Sequence, residues 1–279
     1  MSSPSLQGNP ASSPQSIPVG DILRSLCLER VADGARVPLG LGEDSPGITS
    51  YLVLVWPQLG DFDSLEYGGW IQRHGSDLAD RGIALRAVGL GDRRSGLRFC
   101  EYTGFPSDRL WVDPQAETHR QLGLYQGLQW PWPGLKPGQR AWMNLLLMCA
   151  GVGSPGTLGE VWRGYRGDRQ APQLLRDDEV IHAPPLPPLR GSQFRLAGGA
   201  GFQRPLELAT LRLRNMGEVL SHWGTYVPNG AYLTQRGGTF WLDPQGKVLY
   251  EYRDRGLLGF SATMARPLSF LEITGLETV

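Results

Sequence analysis

Three cysteines, Cys27, Cys100 and Cys149, are the nucleophilic thiols of a chain of 279 residues. Their odd number and wide spacing exclude a disulfide-stapled scaffold, a CxxC pair and a four-ligand metal knuckle. What remains is single-thiol chemistry, which runs through the thiolate and needs a lowered pKa. Cys100, beside Leu97 and Phe99, reads first as a small apolar core residue and second as a redox thiol. Cys27 and Cys149 read as inert. Asp61, Asp63 and Glu66 cluster at a loop-to-helix junction, where they could hold a cation or act as paired acid and base. The favoured reading is structural, because Asp63 and Glu66 have the D-x-x-E form of a capping box. His74, His119, His182 and His222 lack a short metal-ligand spacing such as HxxxH. No metal and no cofactor is therefore expected. GLGDRRSG (89–96) follows a strand, but Arg94 breaks the dinucleotide-binding pattern, and GxSxG and P-loop motifs are absent.

These residues need elements to position them. SYLVLVW, ended by Pro57, has the continuous apolar run of a parallel strand buried on both faces. Leu65, Trp70, Ile71 and Leu78 then fall at helical spacing up to Gly82. IALRAVGLGD is a second buried strand, and RRSGLRFCEYTGF a short helix stopped at Gly104 and Pro106. LWVDPQAETHRQLGL adds a short strand, a turn at Asp113-Pro114 and a helical turn ending at Gly123. Two strands, TFWLD and KVLYEYRD, close a hairpin through Asp243-Pro244-Gln245-Gly246. The alternation predicts an α/β fold with a central mixed sheet flanked by helices.

Residues 1–18 carry too little apolar surface to offset ordering and are expected to form a disordered tail. Residues 19–279 are expected to form one domain, with an insertion at about 129–229. That insertion holds helix candidates AWMNLLLMCAG and PLELATLRLRNMGEVLSHW, with Leu208, Leu211 and Val219 on one face of the second. Trp130, Trp132 and Trp142 are expected to pack onto the sheet; the alternative is a surface for a protein partner. Arg253 and Arg255 are expected to pair with Asp254, Glu251 or other carboxylates.

With 27 basic and 27 acidic residues the net charge is zero, so no nucleic-acid partner is expected. No apolar run approaches the roughly 20 residues of a membrane span. A reducing compartment, the cytoplasm, is expected from the cysteine usage and the lack of a secretory signal, with an organelle matrix or stroma as the alternative.

Three strings, RFCEYTGFPSDRLWVDPQAETHRQLGLYQG (98–127), TLGEVWRGYRGD (157–168) and QRGGTFWLDPQGKVLYEYRDRG (235–256), resemble the AhpC/TSA-type peroxiredoxin-like proteins of the thioredoxin superfamily, in the branch called peroxiredoxin-like family 2. The resemblance implies a thioredoxin-like fold: strand, helix, strand, helix, an antiparallel hairpin and a closing helix. It also implies a reactive cysteine just after the first central strand, where a helix amino terminus favours thiolate. This chain reads WPQLGDFDSLE there. Gln58 and Asp61 stand roughly at the two CxxC positions and neither is a redox nucleophile; PxxxTxxC is absent as well. Gly238-Thr239 aligns with the pair that faces the active site in thioredoxins. Two functions are thus expected. One is an antioxidant or thiol-redox protein working through Cys100 with a thiol reductant. The other is a redox-inactive binding or scaffold module that uses the Trp/Pro-rich insertion as its protein interface.

Overall fold

A computed structural model describes residues 17–42 and 47–272. Most of the N-terminal tail, residues 1–16, lies outside the described residues. In chain order the elements are α1 (Val19–Ser25), β1 (Cys27–Arg30), β2 (Arg36–Pro38), β3 (Ser50–Gln58), α2 (Phe62–Arg73), α3 (Gly75–Asp80), β4 (Ile83–Leu90), α4 (Arg93–Thr103), β5 (Leu110–Val112) and α5 (Glu117–Gln121). Between α5 and the final hairpin come α6 (Pro137–Cys149), α7 (Thr157–Arg166), β6 (Val180–Ile181), β7 (Leu189–Arg190), α8 (Glu207–Ser221) and α9 (Trp223–Tyr226). The hairpin is β8 (Gly238–Leu242) and β9 (Val248–Arg253).

Seven strands form one mixed sheet in the order β2-β1-β5-β4-β3-β8-β9, the arrangement of a thioredoxin-like fold, and β6 and β7 form a small separate ribbon. β3 is parallel to β4 and antiparallel to β8, and every one of its residues is buried. Side chains alternate across a strand, so Leu52, Leu54 and Trp56 enter the core under α2 and α4, while Tyr51, Val53 and Val55 enter the core that also holds Leu23 of α1 and Leu122. The strand runs one residue past Pro57, with an irregularity between Trp56 and Gln58.

The sequence expects one helical stretch up to Gly82. It divides at His74 into α2 and α3, and Gly82 ends it with φ 68° and the Gly47 carbonyl 2.5 Å from where a Cβ would sit, which only glycine accommodates. Asp92 caps α4 by accepting from the Ser95 N–H at 2.8 Å, so GLGDRRSG is a strand-to-helix turn. In the 243–246 turn, Gly246 has φ 86° and donates its N–H to the Asp243 carbonyl at 2.9 Å.

Three expectations are corrected. No closing α-helix follows β9 among the described residues; a 3-10 turn at Ser269–Leu271 stands there instead. Gly256, Gly259 and Pro267 interrupt that stretch, and Phe260, Phe270 and Leu271 fill the core as single anchors. Nor do the tryptophans pack onto the sheet: Trp130 is 55% and Trp142 40% exposed, Trp130 stacks on Trp132, and Trp132 Nε1 donates to Asn144 Oδ1 of α6 at 2.9 Å. Binding the indole N–H to its neighbouring helix holds Trp132 at the surface. Finally, Arg253 pairs with Glu251 as expected, but Arg255 has no carboxylate partner among the described residues and lies over the Tyr125 ring instead. Asp254, just past β9, continues the strand's alternation and turns inward.

Candidate functional site

The entry of α2 follows directly from β3, so whatever caps this helix faces the end of the central sheet. Asp61 is the N-cap: its Oδ1 accepts the Asp63 N–H at 3.0 Å. The expected D-x-x-E capping box does not form, because Asp63 lies inside the helix and Glu66 turns to Arg212 of α8. Arg212 donates to both Glu66 oxygens, at 2.6 and 3.1 Å, the two-pronged geometry that a guanidinium fork prefers.

Arg236, on the approach to β8, is fully buried. Its Nη2 donates to Asp61 Oδ2 at 2.7 Å and its Nη1 to Asp63 Oδ2 at 3.2 Å, while Nε donates to the Thr234 carbonyl. Burial opposes its charge, but Asp61, Asp63 and Asp254 outweigh that and raise its pKa. The same burial, reinforced by Asp61 and opposed by Arg236, raises Asp63 well above the usual carboxylate range. Asp254 is pushed up to about 8 by burial, again against Arg236, so at neutral pH it is mainly a neutral acid. Asp63 Oδ1 and Asp254 Oδ1 have no hydrogen-bond partner among the described residues.

Below the cluster, the buried His119 ring places Nε2 2.9 Å from the Trp56 carbonyl. A carbonyl only accepts, so Nε2 carries the proton, and Nδ1 is left without a partner. Burial lowers this histidine to about 4, which keeps it neutral.

Gln58 is buried at the end of β3 and its Nε2 donates to the Asn229 carbonyl at 2.6 Å. It thus ties the sheet to the segment before β8. Ser64 is buried and donates its hydroxyl to the Gln58 carbonyl. Gly238 and Thr239 lie within β8, both buried, and Thr239 donates its hydroxyl to Tyr67, so this pair is part of the core beneath α2. Both glycines face backbone closely: a Cβ at Gly237 would sit 2.1 Å from the Val55 carbonyl and one at Gly238 2.9 Å from the Tyr252 carbonyl.

Cys100 lies on α4, partly buried against the core. Burial, helped by Asp108, pushes its thiol up to about 12. Cys149, at the end of α6, is the thiol whose titration is shaped by Asp61 and Arg236: burial raises it, Asp61 adds to the rise, and Arg236 opposes it. Among the described residues no cluster of His, Cys, Asp or Glu could hold a metal ion. Nor is any helix long and apolar enough to cross a membrane. The sequence reading missed Arg236 and the inward turn of Asp254. An arginine in the run TQRGGTF (234–240), entering a buried strand, was the available signal.

The sheet order and the helix entry at Asp61 define a thioredoxin-like protein. Compared with models of protein families, residues 70–256 match the AhpC/TSA antioxidant enzymes, and the chain belongs to that family. No curated protein and no solved structure matched the chain.

Proposed function

We propose that this chain is a redox-inactive member of its family that acts as a binding module through the segment between α5 and β8. The observation that carries this reading is the ion pair of Asp61 with buried Arg236 at the amino end of α2. A helix amino terminus beside an arginine favours an anion, and a carboxylate already supplies it. A carboxylate cannot be oxidised and reduced as a thiolate can. Cys100, pushed up to about 12, holds almost no thiolate at neutral pH.

The interface is supported by apolar side chains in water. On α7, Leu158, Trp162 and Tyr165 are 50%, 59% and 52% exposed at spacings i, i+4 and i+7, one stripe of a helix. Met143 and Leu146 of α6 and Leu220 of α8 are exposed as well. Large exposed apolar residues concentrated in this way mark protein-binding surfaces.

The test is peroxide consumption with a thiol reductant by the parent, Cys100→Ser and the variant lacking all three cysteines. Equal background rates are expected. Turnover by the parent that disappears with Cys100 would restore the thiol-redox reading. In parallel, Trp162→Glu should abolish partner capture by the full chain without moving its Tm, and unchanged capture would sink the interface.

A further inference from the structure

A cavity of about 400 Å³ lies at the other end of α2, roughly 15 Å along the helix from Asp61 at 1.5 Å per residue. Three stretches distant in sequence meet around it: α2 and α3, the chain just after α7, and the C-terminal part after β9. Its volume falls in the range that holds a small organic molecule.

The base is apolar. Trp70, Leu78 and Leu271 are buried there, and the Trp70 ring is stacked on His74 with 5.8 Å between centroids and 8° between planes. A flat apolar body matches this wall.

The rim is cationic. Arg81, Arg169 and Arg266 line it, against two carboxylates, Asp77 and Glu272. Arg266 is paired with Glu272 at 2.9 Å, and Asp77 lies 3.5 Å from His74 Nδ1. Arg81 has no carboxylate within ion-pair distance among the described residues, and Arg169 lies over the Phe202 ring, 5.6 Å from its centroid, rather than against an acid. Three guanidiniums facing two carboxylates leave one positive charge unmatched. Guanidinium donors fit the two oxygens of a carboxylate.

We infer that this cavity binds a small aromatic monocarboxylate, with its ring against Trp70 and Leu78 and its carboxylate between Arg81 and Arg169. Neither arginine belongs to the Asp61–Arg236 site.

Equilibrium dialysis of the full chain against indole-3-acetate, indole-3-acetamide and acetate tests this. The acid is expected to be retained at least tenfold more tightly than either the uncharged amide or acetate. The double substitution Arg81→Gln with Arg169→Gln is expected to weaken the acid at least tenfold. Both arginines are exposed, so its circular dichroism and Tm should match the parent. Equal retention of acid and amide, no retention of the acid at millimolar concentration, or undiminished binding by the folded double variant would each overturn the assignment. If that variant does not fold, the comparison of acid with amide on the parent decides.

Discussion

Arg236 Nη2 and Asp61 Oδ2 lie 2.7 Å apart across 175 positions of sequence, so one ion pair joins the approach to β8 to the first turn of α2. Both side chains are buried, and a buried pair is costly to break from one side only. Arg236→Met should lower unfolding stability by about 3–5 kcal/mol, the usual consequence of stranding buried carboxylates. Adding Asp61→Asn and Asp63→Asn should recover much of that loss. Denaturant titration measures both, and a single variant within about 1 kcal/mol of the parent would show that the carboxylates simply take up protons instead.

The same geometry predicts what a thiol would become at this helix entry. In a background without Cys27, Cys100 and Cys149, Asp61→Cys places a thiol beside Arg236 and the first N–H groups of α2. Its pKa should fall below the ordinary value of about 8.5, read from thiolate absorbance against pH. An ordinary or raised value would mean that Asp63 alone satisfies the arginine.

The resident thiols should behave differently. Cys27 is exposed, whereas Cys100 is partly buried and pushed up to about 12. Alkylation runs through the thiolate and needs the sulfur to be reachable, and at pH 8 a thiol held near 12 is almost wholly protonated. Alkylation of Cys100 by iodoacetamide, followed by peptide mass spectrometry, should therefore lag Cys27 by at least a hundredfold. Labelling of Cys100 at a comparable rate would reopen it as a reactive residue.

How far the sequence reveals this arrangement depends on the range of the interactions. The runs SYLVLVW and IALRAVGL, the Gly104 stop and the 243–246 turn are local signals, and each element formed where its residues indicate. β1 and β2 carry no such signal, because they are short strands at one margin of the sheet with exposed and half-exposed side chains. Helical spacing identified Leu208, Leu211 and Val219 as the buried face of α8. It could not show that Arg212, on the same helix, would take Glu66 and dissolve the expected capping box. The Asp61–Arg236 pair is likewise a tertiary event, since no spacing rule links residues so far apart. Asp254 was legible only as one member of a charged run; its burial depends on the phase of β9 relative to β8.

That burial has a consequence for pH that can be separated by mutation. Asp254 has its folded pKa raised to about 8 from an ordinary 3.8, so the folded state binds the proton more tightly than the unfolded chain. Its contribution is present in full below pH 3.8 and is lost as pH rises toward 8. His119 acts in the opposite direction: its folded pKa is lowered to about 4 from 6.5, so the unfolded chain binds the proton more tightly. Its contribution is present above pH 6.5 and is lost as pH falls toward 4. Between pH 4 and 6.5 the two contributions oppose one another, so relative to the parent Asp254→Asn should make stability rise more steeply with pH there and His119→Gln should make it fall. Between pH 6.5 and 8 Asp254 acts without that opposition, and Asp254→Asn should flatten the decline. Urea unfolding of the two variants and the parent across pH 4–9 measures both slopes. A decline above pH 6.5 that persists unchanged in Asp254→Asn would assign it to another buried group, with Asp63, also raised and sharing the same arginine, the next residue to substitute.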